Sequence, residues 1–305
     1  MIQPMRLMLI TPHQAVHSPA IDYAGALAKN LGASLHLVAF VHDQMVDWLG
    51  HRHPCTRDKA RQGMIDTHRF WLNTETVLLR EQGVDAHYDV VWADSLVKDM
   101  IAYAKKVNAA LIIKDFHDDA HLKRLVFSCM DWDLLCASPV SVLYVDRSSG
   151  ATCRRFLVAV DIELEAEGMQ QENDQILTEA HHMASLNEAS LDMISIYDSG
   201  MAKRVPLISS AEPANYAARK EVFEALATQY NIDPQHRHFL VGTPVTVIRG
   251  LLQRNPYELL IIGSANHHLL QTQVGYTTEG ILESPGCNVL AVKLPPFVRP
   301  SSASA

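Results

Sequence analysis

Apolar positions along the chain alternate between short unbroken runs and longer stretches with helical spacing. Leu7–Ile10 is a compact run of the first kind. It is followed by Ser18–Asn30, where Ile21, Ala24, Leu27, Ala28 and Leu31 recur at the spacing of one helix face. Ser18 ahead of Pro19 is a helix-starting pair, and Gly32 stops the pattern. Leu35–Val41 predicts the next strand, Asp94-Ser95 opens a helix over Leu96–Lys106, and Leu111–Ile113 is a further strand. Runs of Val, Ile and Leu without polar alternation are buried on both faces, which predicts a parallel sheet covered by helices on both sides. Each half therefore reads as alternating β and α elements with right-handed crossovers.

The pattern occurs twice. A shift of about 149 residues lays Arg6–Pro12 over Arg155–Asp161, and Val90–Ser95 over Phe239–Pro244. Leu111–Lys114 then meets Leu260–Gly263, and after a one-residue slip Leu31–Val38 meets Leu186–Ile194. Ser141–Val145 and Asn288–Val292 close the series. Five blocks in one order indicate a duplicated domain: residues 1–147 and 153–294, a linker at 148–152 containing Ser and Gly, and a Pro/Ser/Ala-rich tail at 295–305 expected to fray. The expected fold class is α/β, with two tandem doubly wound five-stranded parallel-sheet domains in the strand order 3-2-1-4-5.

Composition narrows the function classes. Apolar residues make up 48% and charged residues 20% of the 305, an ordinary globular balance. A net charge of −8 and the lack of a Lys/Arg-rich run argue against direct nucleic-acid binding, which needs a basic surface. Apolar runs such as Leu259–Gly263 have strand length, well below the roughly 20 residues of a membrane helix. No secretory signal pattern opens the chain, and the five scattered cysteines show no CxxC pair. These features predict a cytoplasmic protein without a membrane span.

The paired five-strand pattern, Val90-Val-Trp92, Asp131-Trp-Asp-Leu-Leu135 with Ser138-Pro-Val140, Val158-Ala-Val-Asp161, Ile261-Ile-Gly-Ser264 and Cys287–Lys293 resemble the universal stress protein superfamily, its tandem E-type members most closely. The resemblance covers almost the whole chain. It implies an intramolecular pseudo-dimer in which domain 1 meets domain 2 through Ser141–Val145 and Asn288–Val292, with a homodimer as a further option. Nucleotide-binding members carry Gly-x2-Gly-x9-Gly-Ser/Thr after the fourth strand, where glycines let backbone N–H groups approach phosphates. They also carry an aspartate at the end of the first strand. In the first half those positions read Lys114, His117 and Phe127-Ser128, with Pro12 in place of the aspartate. Side chains there fill the space phosphates need, so the resemblance implies a first half that does not take ATP in the family manner. The second half keeps Asp161 and Gly263, has Asn266 at the second glycine, and Gly275 one residue early, followed by Thr277 and Thr278. With Gly242 these are the cofactor-binding candidates for ATP, in domain 2 alone. The competing reading makes Gly263 and Gly275 turn residues and Asp161 a helix cap.

Sixteen histidines is a high count. His51, His53 and Cys55 form the densest group, placed in a long polar connection after the second strand and expected at the surface. Imidazole and thiolate suit zinc, and His42 and His68 are nearby in sequence to complete a ligand set. The alternative is a solvated histidine-rich loop. Met45, Trp48 and Leu49 form an apolar cluster expected to pack in the core, and an apolar cleft for a different ligand is a further option. No Gly-x-Ser-x-Gly elbow, HExxH or P-loop is present. The expected function is a stress-response protein that binds a protein or small-molecule partner without conventional catalysis. The alternatives are an ATP-binding switch or slow ATPase using domain 2, and a zinc- or apolar-ligand-binding module.

Overall fold

The computed structural model describes residues 5–49, 54–116, 129–146, 154–162, 169–198, 212–264, 276–282 and 286–294. The chain divides into two compact units, Met1–Thr152 with Leu282–Leu290, and Cys153–Ile281 with Ala291–Ala305.

In the first unit β1 (Arg6–Ile10) leads into α1 (Pro19–Leu31), then β2 (Ser34–Val41), α2 (Gln44–Leu49), α3 (Pro54–Glu81) and β3 (Asp85–Trp92). Next come α4 (Leu96–Val107), β4 (Leu111–Asp115), α5 (Cys129–Ala137) and β5 (Ser141–Val145). The strands lie in the order β3-β2-β1-β4-β5, and each neighbouring pair is parallel. Leu7, Met8, Leu9, Leu35, Leu37, Val38, Ile112 and Ile113 are fully buried, as unbroken apolar strands require when both faces are covered. α1 buries Ala20, Ile21, Ala24, Leu27 and Ala28, the predicted face. It ends where Gly32 turns to φ +60° and its backbone N–H reaches the last turn of the helix, a conformation that costs glycine little.

The second half of the sequence repeats the plan with β6 (Arg155–Ala159), α6 (Met169–Leu186), β7 (Ser190–Tyr197), α7 (Glu212–Gln229), β8 (Arg237–Val241), α8 (Pro244–Arg254), β9 (Leu259–Gly263), α9 (Tyr276–Leu282) and β10 (Asn288–Val292), whose residues are divided between the two units. The order β8-β7-β6-β9-β10 matches that of the first unit, with β6 parallel to both β7 and β9, and β7 parallel to β8. Registers agree as well: Arg6 lies beside Ser34 as Arg155 lies beside Ser190.

Two expectations need correction. Pro54–Glu81 is a 28-residue helix, so Cys55 sits in its first turn and not in a polar connection. Buried positions His68, Leu72, Glu75, Thr76 and Leu79 provide a helical stripe whose polar members hid it from apolar periodicity. Met45 and Trp48 are not core: they are 74% and 63% exposed, because α2 buries only Val46 among the residues described. Among the described residues no helix is long and apolar enough to cross a membrane.

Candidate functional site

In open sheets of this winding, ligands gather beyond the carboxyl ends of the strands, where neighbouring strands send their chains to opposite faces. That place lies between β1 and β4 in the first unit and between β6 and β9 in the second.

In the first unit β4 carries a buried ion pair near this end. Register sets Lys114 beside Ile10, and the Lys114 ammonium turns inward to Asp131 Oδ1 at 3.0 Å. Both side chains are almost wholly buried. Lys114 Nζ also donates to the carbonyl of Asp115 (3.3 Å). The Tyr144 hydroxyl donates to the Asp131 carbonyl (2.9 Å), and its ring lies 5.1 Å from that of Phe116. Burial, assisted by the nearby Asp131 and Cys136, pushes the Tyr144 hydroxyl well above the ordinary tyrosine range, so it stays a donor. Asp115 Oδ1 accepts from Ala20 N in the first turn of α1 (3.3 Å). Pro12 is buried, while His117 and Phe127-Ser128 lie outside the described residues.

In the second unit Asp161 follows β6 with its side chain exposed. Its backbone is pinned on both sides by Asn173 of α6: Asn173 Nδ2 donates to the Asp161 carbonyl (2.7 Å), and Asp161 N donates to Asn173 Oδ1 (3.3 Å). Gly263 ends β9 in close quarters. A Cβ there would stand 2.8 Å from Ile176 Cδ1 and 3.2 Å from Leu294 Cδ1, so any side chain at this position makes the ends of those two side chains shift. Thr278 is buried and its Oγ1 donates to the Gly263 carbonyl (3.3 Å). Ser264 N and Oγ both donate to the Val292 carbonyl (2.9 Å each). Gly242, at φ +148°, forms the turn between β8 and α8 and lies away from the β6–β9 end. Thr277 is in the first turn of α9; Asn266 and Gly275 lie outside the described residues.

His51 and His53 also lie outside the described residues, and Cys55 is exposed. The two histidines that were to complete a zinc set are engaged elsewhere. His68 Nδ1 and Nε2 face the carbonyls of Met64 and His13 (2.9 Å each), and His42 Nδ1 faces the Ala93 carbonyl (3.0 Å). Among the described residues no group of three or more His, Cys, Asp and Glu is placed to hold a metal ion.

Sequence reasoning missed two clusters at the opposite, amino-terminal end of the strands. In the second unit Asp192 of β7 is fully buried and accepts from four side chains. Arg155 Nε and Nη2 approach at 3.2 and 2.6 Å, and His236 Nδ1 and His238 Nε2 at 2.8 and 2.7 Å. The Tyr257 hydroxyl donates at 2.7 Å, and the Arg155 guanidinium lies 4.8 Å over its ring. Burial works to raise the Asp192 pKa, but the bonds from His238, Arg155, Tyr257 and His236 outweigh it and hold the carboxyl well below the usual range. In the first unit the equivalent place on β2 carries His36, stacked on His87 of β3 with ring centroids 5.1 Å apart. A charged residue inside the apolar run Leu191–Ile194 was the available signal for the first cluster.

Residues 152–293 match the model of the Universal stress protein family. The chain is 25% identical over 244 residues to the Universal stress protein E homolog of Haemophilus influenzae, covering 78% of this chain and 79% of that protein. It is 23% identical over 301 residues to Universal stress protein E of Salmonella typhi, covering 96% and 95%. The crystal structure of a putative universal stress protein from Pseudomonas aeruginosa superposes with a TM-score of 0.73 at 24% identity, covering 95% of this chain and 94% of that one, which shows the shared fold. The second half thus carries a Universal stress protein family domain, and over nearly its whole length the chain is similar to the proteins named Universal stress protein E.

Proposed function

We propose that the protein is a cytoplasmic stress-response protein that acts by binding a protein or small-molecule partner, without conventional catalysis, and that its first unit does not take nucleotide. The observation that supports this is the Lys114–Asp131 pair. A buried ion pair stands where a nucleotide-binding member needs a glycine, and removing either partner leaves an uncompensated charge. A second reading gives ATP to the second unit. It is favoured by Asp161, whose carboxylate is presented at the end of β6 on a backbone fixed by Asn173.

Native mass spectrometry of freshly purified protein, combined with titration of a fluorescent ATP analogue, separates the two. Asp161→Ala is the suitable variant, since the side chain is exposed and surface changes cost little stability. Gly263 is unsuitable, because any side chain there meets Ile176 whether or not nucleotide binds. The expected outcome is at most one site per chain, lost in Asp161→Ala. Two sites per chain would overturn the assignment of the first unit, and one site indifferent to Asp161→Ala would overturn that of the second. An absence of any nucleotide supports the partner-binding reading.

A further inference from the structure

The two units use one structural position with opposite charge logic. Position for position, β2 and β7 pair identically with β1 and β6, which puts His36 where Asp192 stands. The neighbouring strand then offers a histidine in both cases: His87 lies beside His36, and His236, just ahead of β8, reaches Asp192. The arginine is also shared, Arg6 in one unit and Arg155 in the other. In the second unit a carboxylate gathers an arginine and two histidines. In the first unit a histidine takes the place of that carboxylate: His36 stacks on His87, with Arg6 on the other neighbouring strand.

We propose that mild acid loosens the β2–β3 edge of the first unit while the equivalent β7–β8 edge of the second stays closed. The groups around His36 are these. β1 contributes Arg6, whose Nη1 is turned to the Val107 carbonyl of α4 (3.0 Å). β3 contributes His87, with Nε2 3.1 Å from Asp85 Oδ1, and Asp89. α4, which packs on this face through Tyr103 against Phe40, contributes Tyr103 and Lys106, the latter 5.2 Å over the Tyr103 ring. Burial lowers the His36 pKa, His87 and Arg6 lower it further, and Asp85 and Asp89 oppose them without winning. Asp89 is also engaged by Tyr103, whose hydroxyl burial and that carboxylate push up to about 12. A histidine whose folded pKa lies below the ordinary 6.5 contributes stability that is complete above that value and is lost as pH falls through the folded one. Asp192, held ionised far below the carboxylate range, does not titrate in the same window.

One group in the first unit runs the other way. Burial lowers the His17 pKa, but Glu75 (2.9 Å) and Asp22 (3.0 Å) outweigh it and raise it, so its contribution is complete below 6.5 and lost as pH rises. The test therefore compares variants at two pH values and does not rest on total stability. All four tryptophans, Trp48, Trp71, Trp92 and Trp132, lie in the first unit, so their fluorescence follows that unit alone in the intact chain. Urea midpoints read this way at pH 7.5 and 5.5 are expected to move in favour of His36→Gln over wild type as the pH is lowered, and His87→Gln is expected to do the same. Hydrogen exchange, corrected for the intrinsic effect of pH, is expected to accelerate at residues 34–41 and 85–92 at pH 5.5, and not at 190–197 and 237–241. A difference between wild type and both variants that is the same at the two pH values would overturn the proposal. So would equal acceleration of both edges.

Discussion

Replacing Asp131 by alanine leaves the Lys114 ammonium in the interior of the first unit with its counter-charge gone. The two groups are 3.0 Å apart with 3% and 2% of their side-chain surface exposed, so water cannot take over the role of the carboxylate. Breaking such a pair costs about 3–5 kcal/mol, because the remaining charge keeps its desolvation penalty. The Tyr144 hydroxyl bonds the backbone carbonyl of Asp131, not its carboxylate, so that bond survives the substitution and does not enlarge the loss. With a urea slope of about 2 kcal/mol per molar, the midpoint is expected to fall by about 2 M. Equilibrium urea unfolding followed by tryptophan fluorescence reads this directly, since Trp132 is the next residue and every tryptophan belongs to this unit. The double change Lys114→Met with Asp131→Leu removes both charges and refills the volume, so its stability is expected within about 1 kcal/mol of wild type or above it. A single variant as stable as wild type would refute the reasoning. So would a double variant as unstable as the single.

Gly263→Ala is expected to destabilise the second unit by about 1–3 kcal/mol through the clash with Ile176, and Ile176→Val to recover part of it, both read by thermal melts in far-UV circular dichroism. Asp192→Asn is expected to cost about 3–5 kcal/mol at pH 7, since Arg155 and two histidines lose the carboxylate between them. The depressed Asp192 pKa adds stability present above about pH 4 and lost as pH falls through the folded value, so the gap between wild type and variant is expected to narrow in strong acid; a gap constant from pH 7 to pH 2 would contradict this.

The hydrophobic pattern by itself located the inner strands and the tandem repeat, because a parallel sheet covered on both faces leaves unbroken apolar runs that survive in each copy, whereas the strand order is set by which strands pair in the folded sheet. It also located the ends of α1 at Ser18-Pro19 and Gly32, since those are local backbone requirements. It did not reveal α3 over Pro54–Glu81, whose buried stripe includes His68, Glu75 and Thr76 and so lacks a purely apolar period. Nor did it place Met45 and Trp48 in solvent, which depends on how a short helix seats itself. At the site, the contrast between Lys114 and Gly263 was legible in the aligned repeats. What each residue does there was not: only packing shows Lys114 folded onto Asp131, and Gly263 squeezed by Ile176 and Leu294. The Asp192 cluster draws its partners from 37 to 65 residues away in the chain. Such convergence has no spacing signature, because it is the parallel register of β6, β7 and β8 that brings Arg155, His236 and His238 to one carboxylate.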